Sequence, residues 1–346
     1  MTTNETNVQN PSIMKSLAII TAVVIILTAM HFAASFIMPV LLSVFFAILL
    51  SPIYGWLKRK RVPGGLALLL SIGVFALVGL LLMWLLGTSL ATLGDSLAAY
   101  ADKLSAQQAQ LEAKIATLNS ASLKSMLSSI DLSKLTGVLG FFVGAAVDVF
   151  KTGIILLFMT TFILAEGSQF KERMIKAYGA DHFMPRNTII IARSMISYFG
   201  LRILVNLVVA VGTGLMLWAF KIPHAGLWAV MTFFFSFIPY IGAVIALVPA
   251  VILAFAEGGP VLAIIVIVLS LVINGLAENI VAPLVMGKGL SVSPTVVFLS
   301  FLFWMFILGG AGAFIAMPLT VALIMFMNTF EETRNFAALM IPTEPS

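Results

Sequence analysis

A few polar side chains interrupt the long apolar stretches of this chain. Asn274, Glu278 and Asn279 lie in a run that otherwise has no charged residue from Gly258 to Gly287. A carboxylate in so apolar a run is typical of a cation or proton site, or of a hydrogen-bond acceptor for a solute. Asn274 and Glu278 are four residues apart, so they would share one face of a helix. Alternatively, Glu278 lies at the edge of the apolar layer, solvated or paired with Lys288.

The residue types of the common enzymatic and metal sites form no pattern here. The sequence has no cysteine, and its histidines, His31, His182 and His224, do not occur at the spacing of a zinc site. A phosphate-binding loop of the type GxxxxGK[ST] is also missing. We therefore expect no enzymatic activity, no cofactor and no bound metal, and a transporter or channel is the simplest remaining class.

The composition places the chain in a membrane. Hydrophobic residues make up 61% and charged residues 10%, against roughly 45–50% and 25% in soluble domains. The stretches from Lys15 to Lys58 and from Lys288 to Glu331 each enclose 42 residues without a charge, whereas about 20 suffice to cross a bilayer. The pattern predicts an all-α, polytopic membrane protein with about eight transmembrane helices. The predicted spans lie near residues 17–36, 38–57, 64–87, 145–166, 199–220, 226–255, 260–285 and 295–328.

The basic residues indicate the orientation of the chain. Ten of the 19 Lys and Arg residues fall within 58–61 and 171–202, at the borders of apolar spans, as is typical of cytoplasmic loops. The net charge of +5 therefore reflects topology, and we expect no nucleic-acid partner. This orientation places both termini in the cytoplasm and the stretch 95–151 outside it. Because the polar N-terminus carries Glu5 and no basic cluster, the first span is expected to be retained.

These features divide the chain into five parts. We expect a cytoplasmic tail over 1–16, three transmembrane helices over 17–89, an extracytoplasmic amphipathic helical segment over 90–140, a C-terminal transmembrane transport domain over 141–330 and a cytoplasmic tail over 331–346. In the amphipathic segment an apolar seam recurs every seven residues, at Leu97, Leu104, Leu111 and Leu118. The seam suits packing against the protein's own spans, contact with another subunit, or a membrane surface.

Four further polar or aromatic residues lie in or beside apolar runs. Arg202 and Asn206 share a helix face, and Arg202 either pairs with an acid or extends to the membrane surface. Glu166 is expected at the end of a span. Trp304 is either an aromatic wall of a cavity or a ring that faces lipid.

Glycine and proline break the apolar C-terminal third of the chain. Broken helices are tolerated at membrane depth where they are buried in protein or line an aqueous cavity. The residues expected to line a substrate or ion pathway are Pro239, Gly242, Pro249, Asn274, Glu278, Asn279, Pro283, Gly287, Trp304, Gly309, Gly312 and Pro318. The segment Gly242–Pro249 (GAVIALVP) is similar to Gly312–Pro318 (GAFIAMP), which indicates either two matching segments around one cavity or a coincidence of composition.

Several short stretches occur in an order that is typical of one family of membrane proteins. They are Phe32-Ala-Ala with Pro39, Arg61-Val-Pro63, Phe237-Ile-Pro-Tyr-Ile-Gly242 with Pro249, Asn279 with Pro283, Met286-Gly-Lys-Gly-Leu290, Ser293-Pro294, Val297-Phe-Leu-Ser300, Phe303-Trp304 and Gly309 to Thr320. In these stretches the chain resembles the autoinducer-2 exporter family, a large bacterial group, from about residue 15 to 335. The resemblance implies about eight spans, a homo-oligomer that is expected to be a pentamer, and export of small molecules, the best known being the quorum-sensing signal autoinducer-2. Other members resemble sodium or lithium/proton antiporters.

One departure from the family pattern concerns the membrane carboxylate. Where members often read Glu-Pro-Arg, this chain has Ala282-Pro283-Leu284. Glu278, one helical turn earlier, is the candidate to replace the acid on the same face, and nothing here replaces the arginine.

From the sequence we therefore expect an inner-membrane secondary transporter, a permease that exports a small polar solute. Glu278 is the expected proton carrier if transport is proton-coupled. The first alternative is a Na⁺(Li⁺)/H⁺ antiporter with Glu278 as an ion ligand. The second is a non-transporting membrane scaffold assembled through the amphipathic segment.

Overall fold

The computed structural model describes residues 11–117, 132–179, 183–238, 241–286 and 293–340, and every regular element in these ranges is helical. In chain order the helices are α1 (Pro11–Phe32), α2 (Ala34–Arg59), α3 (Gly64–Thr117), α4 (Leu132–Tyr178), α5 (Phe183–Ala219), α6 (Ala225–Phe235), α7 (Gly242–Leu276), a π-helical turn (Ala277–Val281), α8 (Ala282–Met286), α9 (Pro294–Leu308), α10 (Gly310–Phe314), α11 (Ala316–Met327) and α12 (Glu331–Leu339). The predicted all-α class with broken C-terminal helices is confirmed.

Helix lengths within the described ranges separate full spans from shorter pieces. Four stretches are long and apolar enough to cross a membrane, namely Ala34–Arg59, Gly64–Ile115, Thr188–Ala219 and Gly242–Leu284. A pair bent by 49°, Thr152–Gly167 with Glu172–Tyr178, would make a fifth. The shorter apolar helices are Thr21–Phe32, Ala225–Phe235, Thr295–Leu308 and Ala316–Met327.

The predicted span at 226–255 is a helical hairpin, which we call the first hairpin. It consists of α6 and the part of α7 before Gly259, where the backbone leaves the helical region with φ 71° and ψ −164°. A Cβ atom on Gly242 would lie 1.7 Å from the Phe235 carbonyl oxygen, so only glycine lets α7 start this close to the end of α6. Leu227 of α6 and Leu253 of α7 lie in one buried cluster, which holds the two arms together.

The predicted span at 295–328 also turns back on itself, and we call it the second hairpin. Its arms are α9 and α11, and the turn between them contains Gly309, with φ 75°, and the short helix α10. A Cβ atom on Gly312 would lie 2.3 Å from the Trp304 carbonyl oxygen. Trp304 Nε1 donates to Thr320 Oγ1 at 2.9 Å, which joins the arms. The two similar segments thus occupy equivalent places, since each begins at a glycine that packs on the preceding helix.

The long helix α3 continues beyond its apolar part and packs along the first hairpin. Leu93 and Leu104 are fully buried and lie in one cluster with Leu253, and Leu97 packs against that cluster. Lys103 Nζ and Glu257 Oε1 form an ion pair at 2.7 Å beside the Gly259 break. The predicted seam at Leu97 and Leu104 therefore packs within the chain; Leu111 is half-buried, and Leu118 lies outside the described residues.

Candidate functional site

An ion pair inside the helical bundle joins α5 to the π-helical turn. Arg202 Nη1 donates to Glu278 Oε1 at 2.7 Å. The Arg202 residue is 8% exposed, whereas 36% of the Glu278 side chain is exposed. Arg202 therefore pairs with an acid, which is the first of its two interpretations from the sequence, and does not extend to the membrane surface. The cation beside Glu278 thus comes from α5 and not from the stretch around Pro283.

The same face of α5 binds the carbonyl groups at the end of α6. Arg202 Nη2 donates to the Ser236 carbonyl oxygen, and Asn206 Nδ2 donates to the Phe233 carbonyl oxygen at 3.2 Å. The last carbonyl groups of a helix have no partner within the helix and carry partial negative charge. The Arg202 cation thus stabilises both the Glu278 carboxylate and the end of α6.

The second hairpin has a comparable bond at the end of its first arm. His31 Nδ1 lies 2.9 Å from the Phe306 carbonyl oxygen, near the end of α9, and its ring stacks on that of Phe306 with centroids 5.5 Å apart. Because a carbonyl oxygen only accepts, His31 carries a proton on Nδ1 in this arrangement. In each hairpin, a side chain from outside binds the end of the first arm.

The tips of the two hairpins meet in an aromatic cluster. The ring centroids of Phe237 and Phe314 are 4.7 Å apart. Phe199 of α5 stacks on Phe237 at 6.0 Å, and Phe45 of α2 lies 4.0 Å from Phe199. Because Ser236 adjoins Phe237, the ion pair and its hydrogen bonds lie next to the contact between the tips.

Three buried polar atoms around the ion pair have no hydrogen-bond partner among the described residues. They are Arg202 Nε, Asn206 Oδ1 and Ser236 Oγ, and Asn206 is completely buried. Such atoms are rare and costly in folded proteins, because each has lost its hydrogen bonds to water. They comprise one N–H donor, one carbonyl acceptor and one hydroxyl.

The backbone at Glu278 is also irregular. Residues Ala277–Val281 form a π-helical turn between α7 and α8, and such turns occur frequently at functional sites. Asn279 points elsewhere, because it is exposed and its Nδ2 donates to the Gly275 carbonyl oxygen of its own helix at 2.9 Å. Asn274 is half-buried one turn before Glu278.

The other predicted pathway residues differ in how far they are buried. Gly242, Pro249, Gly312 and Pro318 are buried in the hairpins. Gly309 and Pro283 are exposed, and Trp304 is half-buried and bonded across the second hairpin. Pro239, Gly287 and also Lys288 lie outside the described residues. Glu166 is exposed and pairs with Arg173 at 2.7 Å.

Comparison with known proteins consistently indicates one class of protein, a transporter. The family model described as AI-2E family transporter matches residues 20–332. A Haemophilus influenzae protein named as a candidate transport protein is 30% identical over 345 residues, covering 96% of this chain and 97% of its own length. The AI-2 transport protein TqsA of Escherichia coli is 27% identical over 326 residues, covering 92% of each chain.

Proposed function

Because the chain belongs to the AI-2E transporter family, we propose that it is an inner-membrane secondary transporter that exports a small polar solute. The family and the names of the relatives indicate transport. A polyol such as autoinducer-2 is the first candidate solute, since the TqsA relative is named for AI-2 transport. The proposal includes cytoplasmic termini and a homo-oligomer, a pentamer by family resemblance.

The observation that carries this proposal is the set of buried, unpartnered polar atoms where the hairpin tips meet. Arg202 Nε, Asn206 Oδ1 and Ser236 Oγ lack protein partners among the described residues. In most small-molecule sites a few polar groups among apolar side chains orient the ligand. Because these three atoms are closed to solvent, the proposed solute reaches them when the hairpins move. In many secondary transporters broken helices end within the membrane, beside a substrate site that opens alternately to either side. The two hairpins here also end within the helical bundle.

The chemistry of these atoms favours a neutral, hydroxyl-rich solute. A hydroxyl group both donates and accepts, so it can bond to the Asn206 oxygen and to the Arg202 Nε–H. The Phe199 and Phe237 rings can pack against the carbon skeleton of such a solute. A free cation would meet the Arg202 guanidinium, which repels it.

The antiporter alternative uses Glu278 as an ion ligand. Arg202 already occupies Glu278 Oε1, so a Na⁺ or Li⁺ ion would have to displace a guanidinium group from that oxygen. Proton transfer at Glu278 would likewise require the ion pair to separate. We therefore propose that Glu278 holds Arg202 in place for the solute, and carries a proton only in a state in which the pair has opened.

The test is solute efflux from liposomes that contain the purified protein and are loaded with autoinducer-2, with and without a pH gradient. Asn206→Leu and Ser236→Ala remove the proposed solute contacts, and we expect each to slow efflux about tenfold, as for a lost hydrogen bond to a polar substrate. Glu166→Gln is the matched control, because its ion pair with Arg173 lies outside the site.

Efflux that is unchanged in both site variants would contradict the proposed site. If wild-type liposomes release no autoinducer-2 but a pH dye responds to added Na⁺ or Li⁺, the antiporter assignment replaces the exporter. If neither signal is seen, yet removal of the α3 extension disrupts assembly, the protein is a scaffold.

A further inference from the structure

Four consecutive cations, Lys58, Arg59, Lys60 and Arg61, end the α2 helix and begin the turn to α3. We call them the basic quartet. All four are exposed, and no ion pair joins any of them to another described residue. The sequence itself supplies no acid nearby, since none occurs between Glu5 and Asp95.

The quartet is not needed to cap its helix, because the backbone does so. The Val62 N–H donates to the Leu57 carbonyl at 3.2 Å and the Arg61 N–H to the Lys58 carbonyl at 3.0 Å. These two bonds form a Schellman motif, in which the residue at the position of Arg61 adopts the left-handed conformation and is usually glycine. Arg61 has φ 62°, so a cation occupies a position where glycine would be unstrained.

Aromatic side chains lie beside two cations of the quartet. Lys58 Nζ lies 5.9 Å from the centroid of the Tyr54 ring, and Lys60 Nζ lies 6.0 Å from that of Trp56. The Trp56 residue is 52% exposed. Tyr and Trp side chains concentrate at the level of lipid headgroups, so the quartet lies where the phosphate groups of a lipid leaflet would be.

We propose that the basic quartet is a binding site for the headgroups of anionic phospholipids. A cluster of four or more cations directly beside a membrane helix attracts anionic lipid with roughly 1 kcal/mol per cation, or about fivefold in affinity. The guanidinium groups of Arg59 and Arg61 add paired hydrogen bonds to phosphate oxygens.

The experiment uses the full-length protein in neutral detergent micelles. Its thermal unfolding midpoint is followed during titration with phosphatidylglycerol, with phosphatidylcholine and with inorganic phosphate. We expect phosphatidylglycerol to raise the midpoint, and we expect its apparent affinity to fall about fivefold in Arg61→Gly.

Lys221→Gly is the matched control. Lys221 also has a left-handed backbone, with φ 56°, and occupies the same motif, with the Ile222 N–H donating to the Leu217 carbonyl at 2.9 Å. Both substitutions remove one cation and relieve the same strain, but the sequence has no other Lys or Arg between Arg202 and Lys288. We expect its phosphatidylglycerol affinity to match that of the wild type.

Three results would overturn the proposal. They are equal effects of phosphatidylglycerol and phosphatidylcholine, an equal effect of inorganic phosphate at the same concentration, and an equal loss of affinity in Arg61→Gly and Lys221→Gly. If Arg61→Gly perturbs the fold, Lys60→Gln against Lys221→Gln repeats the comparison without a change in backbone preference, and the same outcomes decide.

Discussion

Separation of Arg202 from Glu278 should destabilise the protein much more than separation of a surface ion pair of the same length. Removal of one partner from a buried pair costs about 3–5 kcal/mol, which we expect for Arg202→Met. Two unit charges about 4 Å apart attract by about 4 kcal/mol at an effective dielectric constant near 20. Because 36% of the Glu278 side chain is exposed, we expect a coupling energy of about 2–4 kcal/mol.

The assay is a double-mutant cycle on the free energy of unfolding in mixed micelles, from Arg202→Met, Glu278→Met and the double variant. The hydrogen bond from Arg202 to the Ser236 carbonyl is lost in the single and the double variant alike, so it cancels from the coupling energy. The control cycle uses Arg173 and Glu166, which are also 2.7 Å apart but have 64% and 58% exposed side chains. Exposed pairs contribute about 0–1 kcal/mol. A coupling energy for Arg202 and Glu278 no larger than that of the control would refute the argument.

Three further predictions concern the hairpins and their outer ends. Gly242→Ala and Gly312→Ala should each lower the free energy of unfolding, measured by chemical denaturation, by at least about 1–3 kcal/mol. The reason is that the new Cβ atom would overlap a backbone oxygen. The control is Gly275→Ala, whose Cβ would meet nothing within 4 Å and which should be neutral or stabilising. Burial lowers the pKa of His224 from its ordinary value of 6.5, so the unfolded chain takes up a proton first as the pH falls, and stability that is present above about pH 6.5 is lost below it. His224→Asn, which tolerates the left-handed backbone at φ 58°, should flatten this slope in a thermal unfolding series from pH 8 to 5, and an unchanged slope would exclude His224 as its cause. Lys103→Gln should change the free energy of unfolding by less than about 1 kcal/mol, since 47% of the Lys103 side chain is exposed, and a larger loss would mean that Lys103 does more than pair with Glu257.

The sequence identified both members of the ion pair but not their contact. Helix periodicity placed Arg202 with Asn206 on one face. Glu278 was identified separately, as a charged residue within an apolar run. Their pairing joins residues 76 positions apart, and neither charge pattern nor spacing specifies such a contact. The stretch around Pro283 therefore contains no sign of the cation that lies beside Glu278.

The hairpins show a different limit. Glycine and proline predicted breaks, and Gly242 and Gly312 do mark the turns. A hairpin and a straight span are apolar along the same length, however, so periodicity does not distinguish a chain that crosses from one that turns back. The decisive contacts, such as the ring contact between Phe237 and Phe314, depend on the tertiary arrangement.

Ser236 was missed, although a signal was present. It is the polar residue within an apolar run from Phe233 to Ile238, and its carbonyl and hydroxyl both lie at the site. Serine is common in membrane helices because its hydroxyl can bond to the preceding turn. That ordinary explanation hides the cases in which, as here, the hydroxyl makes no such bond to any described residue.

The bonds at the hairpin ends bear on how solute and protein movement are linked. Within apolar surroundings, the carbonyl groups that end α6 and α9 need donors, and these come from Arg202 and Asn206 on α5 and from His31 on α1. A hairpin that shifts relative to α5 or α1 loses its donors. In the proposed mechanism, a hydroxyl-rich solute at the tips would donate to the same carbonyl groups and would lower the free energy of the shifted state. By linkage, conditions that favour the shifted hairpin must then raise the affinity for solute by the same factor.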